Sequence, residues 1–140
     1  MKLVSRVLLI GLFLNLATHA HAEVAIVMSA KSTIGVLTKQ QVSDLFLGKV
    51  AAFPDGSLAV PLEQNDKSPE REDFHSKVTK RSSSQLKAYW AKQMFSGTGN
   101  PPKEVSGDAD VKKLISANPN MIGYIEKASV DSSVKVVLTP

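Results

Sequence analysis

The run Asn65-Asp66-Lys67-Ser68-Pro69-Glu70-Arg71 holds the side chains whose types and spacing come nearest to chemistry. Ser68-Pro69 reads as a helix start: the serine oxygen can accept from first-turn amides, and proline sits where no donor is needed. A helix start leaves N–H groups unpaired at the positive end of its dipole, which attracts anions. Ser68 and Arg71 would add directed donors, with Asn65 beside them. Asp66 could accept a hydrogen bond from a protonated oxyanion and so discriminate against a fully ionised one. Asn65, Asp66, Ser68 and Arg71 are therefore the candidate anion-binding set. The same residues allow a plainer reading, in which Ser68 only caps and Arg71 pairs with Glu70 or Asp66.

Other chemistries find little support. His75 is the one histidine after residue 22, and one histidine with scattered carboxylates is a poor metal centre. It shares a helix face with Arg71, four residues earlier, and is expected half-exposed at the surface. Ser68 lies two helical turns from His75, too far for a nucleophile and its base, and no nucleophile elbow is present. No catalytic residue is assigned and no enzymatic activity is expected. Gly97-Thr98-Gly99 lacks the lysine and helix context of a phosphate-cradling loop. The chain has no cysteine, so disulfides, thiolate chemistry and lipoprotein-type lipid attachment are excluded. No cofactor is implied.

The elements that position these residues follow from patterning. Lys2 and Arg6 precede an apolar run from Val7 to Ala17, and Ala20-His21-Ala22 offers small residues for cleavage, as in a secretory signal peptide over residues 1–22. Residues 23–140 then form one exported domain. Losing Lys2 and Arg6 lowers Lys plus Arg from 17 to 15 against 13 acids, so the basicity is slight. The remaining cations are dispersed and argue against nucleic acid. A membrane is expected to be met only through a partner protein.

Val24 to Met28 is an apolar, β-branched run suited to a central strand covered on both faces. Thr38 caps a helix carrying Val42, Leu45 and Phe46, and Gly48 stops it. Pro54-Asp55-Gly56-Ser57 makes a turn into a strand over Leu58 to Leu62. Phe74 and Val78 form the buried stripe of the helix begun at Ser68. The serine run 82–84 starts another, with Leu86, Tyr89, Trp90 and Met94 inward. Asp108 caps a last helix with Val111, Leu114 and Ile115 inward, before strands over Ile122–Ile125 and Val134–Leu138. The alternation predicts an α/β fold: a single three-layer sandwich lobe with a mixed sheet.

Leu45-Phe46-Leu47-Gly48-Lys49, then Asp66-Lys67-Ser68 at a helix start, then Ile122-Gly123-Tyr124-Ile125-Glu126, together resemble the phosphate-binding proteins of bacterial ABC transporters. The similarity is greater to their short, single-lobe relatives, and it covers about Val24 to Glu126. It implies a type II periplasmic-binding-protein lobe, secreted to the periplasm, that binds phosphate or a related oxyanion, with an ABC permease or a dimer mate as partner. In that family the loop after the strand carries Arg, then Asp, Gly, Ser, Gly and Thr. Here Asp66 and Ser68 match, Gln64 stands at the arginine position, and Lys67, Pro69 and Glu70 replace the small residues. Arg71 follows one position on. The alternative implied by these departures is an interaction module derived from a binding lobe that has lost its ligand.

Overall fold

The computed structural model describes residues 22–140; the expected leader therefore lies outside the described residues, apart from its last position. Strand β1 (Val24–Ser29) is buried along its whole length, as its apolar run requires. It lies inside a five-stranded sheet of order β3-β2-β4-β1-β5. The other strands are β2 (Val60–Gln64), β3 (Lys103–Val105), β4 (Met121–Glu126) and β5 (Val134–Leu138). Antiparallel β4 and β5 flank β1, while β2 pairs in parallel with β3 and β4, so the sheet is mixed.

Alternate side chains of β1 feed two cores. Val24, Ile26 and Met28 pack with Phe46, Phe74 and Tyr124 beneath α1 (Lys39–Phe46) and α2 (Pro69–Phe74). Ala25 and Val27 pack with Val111 and Ile115 of α4 (Asp108–Ala117) on the opposite face. Helices on both faces of one mixed sheet give the three-layer sandwich expected from the alternation. Helix α3 (Ser83–Phe95) lies outside both cores and buries only Leu86 and Trp90.

Local signals act as expected at most junctions. Thr38 and Ser82 each complete a capping box, with Gln41 and Gln85. Gly48 ends the α1 segment at φ +67°, a conformation that L side chains rarely adopt. Four details differ. The strand expected over Leu58–Leu62 begins at Val60 and runs on through Glu63 and Gln64, because β3, to which the patterning assigned no element, pairs beside them. Asp108 is the first helical residue rather than the cap, which is Gly107. Met94 is half-exposed rather than inward. The helix from Pro69 widens into a π-helical turn over His75–Thr79, closed by Lys80 at φ 58°.

Candidate functional site

The C-terminal end of β2 meets the start of α2, and the candidate residues gather there. Ser68 caps α2, its Oγ accepting from Arg71 N at 3.0 Å. That hydroxyl has one proton to give, and Gln64 Oε1 at 3.1 Å and Glu70 Oε2 at 3.2 Å both stand ready to take it. Arg71 folds back along the helix so that its NH1 donates to the carbonyl of Gln64 at 2.8 Å and lies 3.7 Å from the Glu104 carboxylate. Asn65 turns aside, donating to Ser106 O and accepting from Lys67 N. Asp66 faces outward, 3.9 Å from Lys87. Ser68 and Arg71 are thus brought together, while Asn65 and Asp66 stand at the margin.

The amides of the turn are largely engaged within the chain. Lys67 N donates to Asn65 Oδ1, Ser68 N to Asn65 O, Arg71 N to Ser68 Oγ and Glu72 N to Ser68 O. The negative charge beside them is considerable. Carboxylate oxygens of Glu70, Asp108 and Glu126 lie within 4.8 Å of one another. Asp108 is itself committed, accepting from Gln64 Nε2, Glu126 N and the Ser129 hydroxyl. That commitment gives it a use other than the capping expected of it.

On its other side Arg71 lines a cleft of about 580 Å³ between α2 with its π turn and the start of α3. Asp66, Lys80, Arg81 and Ser82 share this lining. The volume falls within the ordinary range of small-ligand sites. A guanidinium carries five N–H donors, and the contacts to Gln64 O and Glu104 are both made by NH1 of Arg71.

Behind the site lies a buried polar network that patterning did not reveal. His75 is 3% exposed, not the half-exposed surface histidine expected. Its Nε2 lies 2.9 Å from Glu63 Oε2 and its Nδ1 2.8 Å from Thr79 Oγ1. The Tyr124 hydroxyl donates to the other oxygen of Glu63 and accepts from Gln64 N at 3.1 Å. Phe74 stacks on the Tyr124 ring at 4.3 Å. Burial, and then the negative charge of Glu63, push the Tyr124 phenol far above its usual range, so it stays protonated. Thr79 and Glu63 thus take up both ring nitrogens of His75 inside the chain. Its spacing of four from both Arg71 and Thr79 was the available signal. The polar pair Glu63-Gln64 continuing an apolar strand was another.

Gln64, at the position where the resemblance places an arginine, spends its whole side chain internally. Its Nε2 donates to Asp108 and to Tyr124 O, and its Oε1 faces Ser68. It holds the β2 end in place and offers a ligand nothing.

These layers and this strand order form a single three-layer α/β lobe with a mixed sheet. Solved structures of phosphate-binding proteins share the fold. A protein assigned as a phosphate ABC transporter substrate-binding protein, with bound phosphate, from Clostridium perfringens superposes over 82% of this chain and 44% of its own, with TM-score 0.65 and 24% identity. An ABC-type phosphate transport receptor from Vibrio cholerae matches over 82% of this chain and 45% of its own, with TM-score 0.65 and 20% identity. At these identities the fold is what is shared. The chain spans less than half the length of either protein. No protein-family model matches it, and no curated protein matches it.

Proposed function

We propose that the chain is a non-catalytic solute-binding lobe of the periplasm that takes phosphate or a related oxyanion in connection with ABC transport or sensing. The observation that carries this reading is Arg71, fixed to the β2 end by Gln64 O while it lines a 580 Å³ cleft. A guanidinium held in place loses little freedom on meeting an oxyanion and can bind it with two parallel hydrogen bonds. In this reading Arg71 is the principal anion contact, Ser68 sets its backbone, and Asn65 and Asp66 edge the entrance. An ABC permease or a dimer mate supplies the remaining surface.

Thermal unfolding in phosphate tests this. At a phosphate concentration about tenfold above Kd, linkage adds about 1.4 kcal/mol, or roughly 5 °C in Tm for a domain of this size. Arg71→Ala should abolish the increment measured against its own phosphate-free Tm. General salting-out stabilisation by phosphate would survive that change. An unchanged increment in Arg71→Ala rejects the site.

A second reading is favoured by the occupied turn and by the carboxylates of Glu70, Asp108 and Glu126. In it the lobe has lost its solute and serves as an interaction module for a membrane complex or partner protein. No phosphate increment in either form of the protein supports this reading.

A further inference from the structure

Helix α3 presents a face that the described residues leave uncovered. Lys87, Ala88, Ala91, Lys92, Met94 and Phe95 fall on one side of it and are all exposed, while Leu86 and Trp90 bury the other side. Phe95 is 97% exposed, an expensive position for an aromatic ring in water. The helix carries no acidic residue. Beside this face lies a shallow depression of about 610 Å³ lined by Lys80, Arg81, Gln85, Ala88, Tyr89 and Lys92, with no carboxylate in its wall. The Arg81 guanidinium rests 4.5 Å above the Tyr89 ring, which aligns it along this wall. The carboxylate that reaches toward the helix is Asp66, loosely placed 3.9 Å from Lys87.

We propose that this face docks the protein directly on an anionic bilayer. Phe95 and Met94 enter the headgroup region while Lys80, Arg81, Lys87 and Lys92 meet lipid phosphates. Cations flanking an exposed aromatic and thioether pair match the two-part chemistry of a charged lipid surface. Each cation near such a surface adds attraction, and aromatic rings settle at headgroup depth. A soluble small anion would engage the depression alone and give no use to Phe95. The inference departs from the expectation that a membrane is met only through a partner protein. Lys80 and Arg81 also line the cleft at Arg71, whereas Phe95 and Lys92, the positions varied below, do not.

The test is co-sedimentation of the chain from Glu23 onward, which contains every element of the fold, with vesicles of phosphatidylglycerol and phosphatidylcholine against vesicles of phosphatidylcholine alone. Binding should require the anionic lipid and fade as salt rises from about 0.05 M to 0.5 M. Phe95→Ser should weaken partitioning about tenfold or more. Lys92→Glu, which reverses one charge, should weaken it about thirtyfold. Both sites are exposed, so unchanged melting temperatures will show that the variants are folded. Absence of binding to the anionic vesicles overturns the proposal. So does binding that Phe95→Ser leaves intact and that inorganic phosphate displaces at constant ionic strength, since the face would then be a small-anion site.

Discussion

At the scale of single residues, the decisive feature is that the polar groups under the site satisfy one another. Among the described residues no buried side-chain nitrogen or oxygen lacks a partner. Glu63 is central, accepting a hydrogen bond from the Tyr124 hydroxyl on one oxygen and meeting the His75 ring on the other. Removing one member strands the rest in a low-dielectric interior, where an unpaired group costs about 1–3 kcal/mol. Tyr124→Phe should therefore lower stability by about that amount at neutral pH, seen as an earlier denaturant midpoint. Its alkaline behaviour is more specific. An unfolded phenol titrates near pH 10, whereas burial and the Glu63 charge keep the folded one protonated above that. A folded pKa raised in this way gives stability that is complete below about pH 10 and drains as pH climbs beyond it. Stability of the wild type should thus fall as pH rises above about 10, and the Tyr124→Phe profile should fall less steeply there. Parallel profiles would clear Tyr124 of the effect.

At the scale of elements, α4 lies so close over β4 that one position must lack a side chain. A Cβ built on Gly123 would stand 2.9 Å from Val111 Cγ1 and 3.1 Å from Ile115 Cδ1. Alanine in place of glycine within a strand ordinarily stabilises by about 0.5–1 kcal/mol. Here overpacking should reverse the sign, and Gly123→Ala is expected to cost about 1–3 kcal/mol in urea unfolding. A neutral or stabilised variant would show that α4 can shift outward freely. The elements were largely legible in the sequence, because their signals are local: the apolar run of β1, the Thr38 and Ser82 caps, the Ser68-Pro69 start and the Gly48 stop. What was not legible depends on neighbours distant in sequence. The polar end of β2 is strand because β3 pairs with it some 40 residues later. His75 is buried because Glu63, twelve residues before it, waits on the sheet. Of the candidate set, the Ser68 cap on the Arg71 amide was legible, because Ser68-Pro69 is a local signal. The internal engagement of the site was not, because Gln64, Glu104 and Asp108 arrive from three different strands and helices.

At the scale of the whole molecule, the chain superposes on less than half of each of its longer structural neighbours, so under the proposed reading it offers a solute one wall. One wall limits affinity in a calculable way. Three charge-assisted contacts at roughly 2 kcal/mol each sum to about 6, against an association cost of at least about 4. The remainder corresponds to millimolar affinity or weaker. The convergence of Glu70, Asp108 and Glu126 lowers it further by repelling an incoming anion. Calorimetric titration of the monomer with phosphate should accordingly show weak heat or none. If a dimer mate closes the site, the apparent affinity should rise as protein concentration brings the chain across its association midpoint, and Arg71→Ala should remove the rise. A submicromolar site in a protein that remains monomeric would contradict the arithmetic, because the single lobe would then have to supply contacts that neither Arg71 nor the engaged turn at Ser68 can provide.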